Sequence, residues 1–432
     1  MPRSIPFAPA LPDLPTLLPL ARQLVRDIDG LGAQLPPHTV DAVHRLLRDA
    51  TTYYSNLIEG HDTHPVFLDA ARQGAISRAP ALRNGQIEAL AHAETHAEYE
   101  TLLAKDERLN VAATAVIVGV HRSFYSRLPI EMRTVRDVAS TRSVIVEPGV
   151  LRDYDVHVGA HVAPPYHLIA SALQAFGTTY DPAVLIGEPD AGAVIPEDTR
   201  TAALVAVAAA HHRLLWIHPF GDGNGRVARL VTDLMLARLG LGARGLWSMS
   251  RGLARAGHLY KERLANADQG PWNATDGRGP LSERFLREFC AFFLETAADQ
   301  VSYMRRVLAP DELRARARDY ARRRAQREIP APDAADDITR STRRVGRPAL
   351  AFRAEAARVL EHLLTIGPLP RGEVARVASM SERSARRMAS DLVKEGFAVS
   401  ATPRGDLLPR IPAHAAPYLL PELFPVAPRV AG

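Results

Sequence analysis

Apolar residues recur at helical spacing along most of the chain. Between Leu17 and Ile28, and again between Asp41 and Ile58, intervals of three and four predict amphipathic helices. The same period predicts helices over Ile87–Ala104, Val111–Tyr125, His167–Phe176, Arg226–Leu239 and Phe285–Val307. Thr201–Trp216 differs, being alanine-rich and apolar on nearly every side, the pattern of a helix buried all round. Only between 143 and 162 does the period change. There Ser143–Glu147 and Asp155–Val162 are β-prone runs, punctuated by Pro148 and Gly149 and closed by Pro164-Pro165. They predict a small hairpin inside an otherwise helical domain.

The pattern breaks again late in the chain. Residues 309–346 hold Arg322, Arg323 and Arg324, then Pro330, Pro332 and an Asp/Ala stretch, the composition of a linker. Beyond it, Ala354–Leu364, Gly372–Ala378 and Ser381–Glu395 predict three helices, the last opened by Ser381 as N-cap. Phe397–Ser400 and Asp406–Pro409 predict two short strands around Thr402-Pro403-Arg404-Gly405. Helix, turn, helix and hairpin is the order of a winged helix-turn-helix. The expected organisation is a helical N-terminal region (1–110), a catalytic core (111–300), a helical Arg-rich linker (301–346), a winged helix-turn-helix (347–415) and a tail (416–432).

Charge sharpens this division. The whole chain carries +5. From Arg340 onward there are 15 Lys/Arg against 8 Asp/Glu, a balance of +7, which leaves −2 for everything before it. A basic satellite on a near-neutral body suits an anionic partner such as DNA. Cys290 is the single cysteine, so an intrachain disulfide framework or a Cys-based zinc site is excluded, in keeping with a reducing cytoplasm. Apolar runs such as Val111–Val120 and Ala202–Ala210 stop well short of the roughly 20 residues that span a bilayer. The proline-rich first 18 residues contain no uninterrupted apolar stretch of a secretory signal. No membrane partner is expected.

Chemistry concentrates in His218-Pro219-Phe220-Gly221-Asp222-Gly223-Asn224-Gly225-Arg226-Val227-Ala228-Arg229, which joins two predicted helices. Glycines at 221, 223 and 225 let the backbone turn its N–H groups toward an anion. The following helix opens at about Gly225, so its unpaired N–H groups and its dipole point to the same place. Arg226 and Arg229 project from one side of that first turn. Asp222 supplies a carboxylate suited to Mg²⁺, an ion that prefers oxygen ligands shared with phosphates. His218, at the head of the loop, is the side chain best able to accept a proton at neutral pH. The segment is neither an EF-hand, whose acidic ligands alternate, nor a P-loop, which needs Gly-Lys-Ser/Thr. His211 and His212 lack the His-Glu-x-x-His spacing of a zinc helix and read as a core or supporting pair.

This segment resembles, position for position, the signature of Fic-domain proteins. The resemblance implies a mainly α fold: a Fic-fold helical core with a small β-hairpin flap, here followed by the C-terminal winged-helix domain. It also implies transfer of AMP from Mg-ATP to a Ser, Thr or Tyr hydroxyl of a target protein or of the chain itself. His218 would then be the general base and Asp222 the Mg²⁺ ligand. Gly223, Asn224 and Gly225 would cradle phosphate, and Arg226 and Arg229 would bind the β- and γ-phosphates. Phe220 resembles the family's structural anchor. Pro148 to Arg152, then Val156-His157-Val158 and Pro164-Pro165, resemble its flap, an edge on which an extended target segment docks. Tyr260 resembles a nucleotide-side tyrosine, though a buried helix residue fits the same pattern.

Ser55-Asn56-Leu57-Ile58-Glu59-Gly60 matches a second Fic pattern, the inhibitory helix. Gly60 reads as a helix stop and puts Glu59 in the last turn, where the helix dipole disfavours an anion. The resemblance names Arg229 as its partner and raises AMP removal as a second activity. In the tail, Arg383, Arg386, Arg387 and Lys394 on the presumed recognition helix, with Arg404 on the wing, are the candidate DNA contacts. A winged helix used for protein contact or homodimerisation is the alternative. Two further readings compete with AMP transfer: a Fic-fold transferase with another donor, and a nucleotide-sensing transcription regulator.

Overall fold

The computed structural model describes residues 14–136, 143–158, 161–187, 194–276, 281–330 and 352–426. Helices α1 (Leu14–Asp29), α2 (Pro37–Ile58), α3 (Pro65–Arg72), α4 (Pro80–Lys105) and α5 (Thr114–Ser126) come first. Strands β1 (Thr134–Arg136), β2 (Ser143–Ile145), β3 (His157–Val158) and β4 (His161–Val162) follow. Then come α6 (Ile169–Thr179), α7 (Pro182–Ile186), α8 (Glu197–Ile217), α9 (Asn224–Arg238), α10 (Met249–Ala256), α11 (His258–Ala267), α12 (Glu283–Val307) and α13 (Pro310–Ala325). Helices α14 (Ala356–Thr365), α15 (Val374–Ala378) and α16 (Glu382–Lys394), strands β5 (Ala398–Val399) and β6 (Leu408–Pro409), and α17 (Ala416–Leu419) complete the order. No described helix is long and apolar enough to cross a membrane.

Contacts group these elements into two units. One combines residues 1–30, 54–61 and 87–302; the other combines 31–53, 62–86 and 303–432. This grouping differs from the serial order read from the sequence, because α2 and α4 each give residues to both units.

In the first unit α8 is the axis. Ala203 through Ala210 are at most 1% exposed, so the alanines let neighbouring helices approach from every side. The face of α1 formed by Leu17, Ala21, Leu24, Val25 and Ile28 is buried, and α1, α6, α7 and α9 pack against α8. Each fully buried Leu or Ile contributes on the order of 1.5–3 kcal/mol. At the first turn of α8, Glu197 and Asp198 meet Arg26 and Arg22 of α1, and Arg200 pairs with Asp29 at 2.6 Å. Acids at that end also suit the helix dipole.

The hairpin forms differently from expectation. Ser143–Ile145 pairs antiparallel with Thr134–Arg136, while His157–Val158 pairs with His161–Val162. The two β-prone runs therefore belong to separate ribbons. The backbone between them is taken up by the loop around Arg152, whose N–H bonds to the Pro219 carbonyl and not to a strand.

The second unit gives the supposed linker a structure in part. Residues 310–325 form α13, which buries Leu313, Ala317, Tyr320 and Ala321 and packs on α14. Arginines on its other faces disguise that apolar stripe. The rest of the linker, 331–346, lies outside the described residues, as do the N-terminal 13 residues and the end of the tail. Helices α15 and α16 are joined through Ser379, which is left-handed at φ 53°, and the Ser381 hydroxyl accepts the Ser384 N–H at 3.4 Å. Helix α16 buries Ala385, Met388, Ala389 and Leu392 and exposes Arg383, Arg386, Arg387 and Lys394. Strands β5 and β6 pair antiparallel, Ala398 opposite Pro409, and Arg404 is exposed in the turn between them.

The packing of α8 yields a stability prediction. Ala208→Leu adds three carbons where no space exists and should cost about 1–3 kcal/mol. Urea unfolding followed by circular dichroism should show the drop, and an unchanged midpoint would mean that α8 is not the close-packed axis.

Candidate active site

The site begins where α8 ends. His218 adopts φ 47°, ψ 62°, a left-handed conformation that costs a non-glycine residue on the order of 1–2 kcal/mol. Arg152 holds it there. This buried guanidinium donates Nε to the His218 carbonyl at 2.8 Å, Nη1 to the Tyr154 carbonyl and Nη2 to the Pro164 carbonyl, both at 2.7 Å. Burial first, then the nearby charges of His161 and Arg152, push the pKa of His218 down to about 4, so it is a neutral base at pH 7.

The glycine-rich loop is braced from below. Phe220 is fully buried and stacks on His121 at 3.9 Å, and His121 stacks in turn on Tyr125 at 4.2 Å. The Asn224 side chain closes the loop by accepting the Phe220 N–H and donating to the Phe220 carbonyl, each at 2.9 Å. Gly223 sits at φ 79°, and a Cβ there would lie 2.5 Å from the Tyr125 ring. Helix α9 starts immediately afterwards with no side-chain cap, so its first N–H groups remain directed at the loop.

Around this loop lie opposed charges. The Asp222 carboxylate accepts the Tyr125 hydroxyl at 2.8 Å and stands 3.5 Å from Arg226. Arg226 is buried over the Phe124 ring and pairs with Glu88, whose second oxygen meets His61 Nδ1. Burial lowers Arg226 to about 10, leaving it cationic at pH 7. Arg229 is also buried. It donates Nε to the Ser55 hydroxyl and Nη2 to the Ser55 carbonyl, both at 2.9 Å, and Nη2 to Glu59 Oε1 at 2.5 Å. Burial opposes the Glu59 charge, but the charge and hydrogen bond of Arg229 outweigh it and hold the carboxyl below its ordinary range. A Cβ on Gly225 would come within 2.2 Å of Glu59 Oε1, so the pair leaves no room for a larger residue. Gly60, at φ 92°, ends the turn that carries Glu59.

The contiguous motif and the distant Ser55–Gly60 segment therefore meet in one unit. Tyr260 lies against the Glu59–Arg229 pair, within hydrogen-bond reach of Arg229. Tyr260 is buried, with its hydroxyl on His211 Nε2 at 2.8 Å, and His211 Nδ1 meets the Thr232 hydroxyl. Of the flap residues, Val156 is half-buried and His157 exposed, while the Val158 side chain lies outside the described residues. Sequence reasoning named Arg152 only as part of the flap and missed Tyr125 and Glu88. None of the three lies in the motif, and only the fold brings them to it.

Residues 129–236 match the Fic/DOC family. The chain is also 28% identical over 160 residues to the protein adenylyltransferase Fic of Drosophila grimshawi, which is 34% of this chain and 30% of that one. It is 32% identical over 125 residues to the protein of the same name from Nematostella vectensis, covering 29% and 25%. These matches span less than a third of those relatives. A Fic domain-containing signaling protein from Bacteroides thetaiotaomicron superposes with TM-score 0.47 at 16% identity, over 66% of this chain and 95% of that one.

Buried histidines make this unit acid-sensitive. His92 and His211 are lowered to about 3, and His121 and His218 to about 4, in each case chiefly by burial. Unfolding restores an ordinary pKa near 6.5, so below that pH the unfolded chain binds more protons than the folded one. Buried Asp233, raised to about 8, opposes them with one proton. The four histidines prevail. Stability should fall as pH drops from 7 to 5, seen as a lower melting temperature in calorimetry; a flat melting temperature over that range would refute the assignment.

Proposed function

We propose that this chain is a protein adenylyltransferase that moves AMP from Mg-ATP onto a protein hydroxyl, its own included, and that Glu59 restrains it. The observation that carries the reading is the placing of a neutral His218 at the head of an anion-binding turn whose Arg229 is already occupied by a carboxylate. The curated relatives named as adenylyltransferases support the same chemistry over the part they share.

In this reading a target hydroxyl approaches His218, which takes its proton as the oxygen attacks the α-phosphorus. The bond from the α-phosphorus to the bridging oxygen breaks, and pyrophosphate leaves with that oxygen. The α9 N–H groups and the Gly223–Gly225 backbone hold the phosphates, while Arg226 and Arg229 offset charge on the leaving pyrophosphate. No described group of three or more His, Cys, Asp or Glu forms a metal cage. Asp222, a partly exposed carboxylate oriented by Tyr125, fits a Mg²⁺ that takes its other ligands from phosphate and water. Such an ion would neutralise phosphate charge. The β3–β4 ribbon would present a strand edge to the target segment.

Glu59 restrains transfer by holding Arg229 away from the γ-phosphate. A charge-assisted pair in a largely desolvated place is stronger than an exposed one. The basic, exposed face of α16, with Arg404, supports a second role for the other unit, binding DNA through phosphate contacts. That Cys290 is the single cysteine, and buried, supports a cytoplasmic location.

Two expectations test it. Glu59→Gly should raise incorporation of labelled AMP about a hundredfold, equivalent to about 2.7 kcal/mol. Adding Arg229→Ala should remove most of that gain, and adding His218→Ala should lower transfer by roughly 10²–10⁴-fold. A folded Glu59→Gly protein no more active than wild type would end the restraint hypothesis. For the tail, Arg383, Arg386 and Arg387 changed together to Ala should weaken binding to genomic DNA fragments and flatten its salt dependence. Salt-insensitive binding by the wild-type chain would leave protein contact as the role of α16.

A further inference from the structure

Arg229 meets a chain of hydrogen bonds that the transfer step above does not use. Tyr260 of α11 stands within hydrogen-bond reach of its guanidinium. The Tyr260 hydroxyl lies 2.8 Å from Nε2 of His211 on α8, and His211 Nδ1 lies 2.8 Å from the hydroxyl of Thr232 on α9. Thr232 in turn donates to the Ala228 carbonyl at 2.7 Å. The chain thus leaves α9 at Arg229, passes through α11 and α8, and returns to α9 at the neighbouring residue. Every member is at most 3% exposed. The rings of Phe289 and Phe293 lie 6.2 and 5.6 Å from that of His211, an apolar wall around it.

Each proton in the chain has one place. The Thr232 hydroxyl uses its single proton on the Ala228 carbonyl, so toward His211 it can only accept, and Nδ1 must carry the N–H. His211 is neutral, because burial first and then the charges of Arg229 and His212 hold its pKa at about 3. Its Nε2 is therefore a bare acceptor, and the Tyr260 hydroxyl donates to it. Burial pushes the Tyr260 phenol up to about 12, so it keeps that proton. What remains on the Tyr260 oxygen is lone pairs, and the Arg229 guanidinium has only donors. The phenol, fixed at one end by His211, is an acceptor for Arg229 and nothing else.

The other acceptors of Arg229 come from a different place. Ser55 and Glu59 belong to the last turn of α2 and the residue after it, the segment read above as the restraint. Tyr260 is built into the α8–α9–α11 body. A Cβ on Gly225 would lie 3.0 Å from Arg229 Nη1, so that nitrogen already stands at the anion-binding turn. We propose that Tyr260 is a positioning residue for nucleotide recognition: backed by His211 and Thr232, its oxygen holds the Arg229 guanidinium in register for the γ-phosphate once Glu59 no longer occupies it. The inference rests on reading Arg229 as a ligand of that phosphate, and it makes Tyr260 a support of the phosphate end, not a contact of the nucleotide. A guanidinium already held by a fixed acceptor loses less rotamer freedom when the phosphate arrives. A phenol oxygen also carries no charge, so it orients Arg229 without competing with phosphate as the Glu59 carboxylate does.

The test is calorimetric titration of Mg-ATP and of Mg-ADP into the full chain carrying Glu59→Gly, with His218→Ala added so that no ATP is consumed. ADP lacks the γ-phosphate and is the internal control. Tyr260→Phe should weaken ATP binding about tenfold, the loss expected of one charge-assisted hydrogen bond, and ADP binding by less than about twofold. Arg229→Ala should give the same selective loss, and adding Tyr260→Phe to it should change nothing further. His211→Phe, which removes the acceptor that orients the phenol, should give a smaller loss of the same kind. Unchanged ATP affinity in folded Tyr260→Phe would overturn the proposal. Equal losses for both nucleotides would make Tyr260 merely structural and overturn it as well, as would losses that add to those of Arg229→Ala. If the selective loss appears but the Glu59→Gly chain transfers no labelled AMP, the role of Tyr260 stands and the adenylyltransferase reading falls. If AMP is transferred and Tyr260→Phe binds ATP as before, only the role of Tyr260 falls.

Discussion

Two guanidinium groups buried within one helical turn are the constraint from which the rest of the site follows. Arg226 and Arg229 leave water at the start of α9, in the middle of an apolar helical core, and an unpaired buried cation costs several kcal/mol. Each is therefore met by a carboxylate that arrives from far away in sequence, Glu88 for one and Glu59 for the other. The same two arginines are what a polyphosphate would need. A protein that must keep them solvent-poor for function has to neutralise them when no anion is bound, and restraint by Glu59 is one way of doing so. Glu88 differs from Glu59 in being fully buried and backed by His61, so it orients Arg226, whereas Glu59 stands at the partly open edge.

The turn between α8 and α9 shows how a strained loop is made rigid. His218 is held left-handed, Gly223 takes a positive φ, and the loop between them spans only four residues. Little of that conformation is stabilised by the loop itself, apart from the Asn224 amide on the Phe220 backbone. The remainder comes from outside: Arg152 binds three carbonyls, one of them that of His218, and the Phe220–His121–Tyr125 stack supports the floor. Tyr125 also holds Asp222, so the floor of the loop and the carboxylate at its rim move as one body. Asn224 is committed to the loop backbone here, and any contact it makes with phosphate has to come through its own N–H.

How much of this was legible in the sequence depended on distance along the chain. The helices with strong apolar periods were readable, and so was the twelve-residue motif, because its chemistry is contiguous. The resemblance added the Glu59–Arg229 pairing, which no local pattern contains. Arg152 was readable only as part of the flap, and Glu88 and His161 not as parts of the site, since a lone polar residue carries no signal until the fold supplies its partner. Helix α13 was expected only as part of a helical linker, because the arginines around its apolar stripe mask the face it buries. The strand pairings were misread because β-propensity says which runs extend and not which runs meet. His157–Val158 turned back on His161–Val162, and Ser143–Ile145 found Thr134–Arg136 upstream.

Charge order within the first unit gives these separate features a common logic. Going outward from Asp222 the groups are Arg226, Glu88 and His61; beside His218, Asp268 joins His161 to His212. Arg226 thus stands between Asp222 and the next carboxylate. Around His218, burial together with the charge of Arg152 outweighs the opposing Glu59 and keeps the imidazole neutral, which is what a base needs when it works at neutral pH. Had Asp268 faced His218 directly, the imidazole would have gained a partner for its charge and lost its readiness to take a proton. Asp268 is instead taken up by His161 and His212, and His161 also meets the Trp216 carbonyl, so β4 is tied to the end of α8.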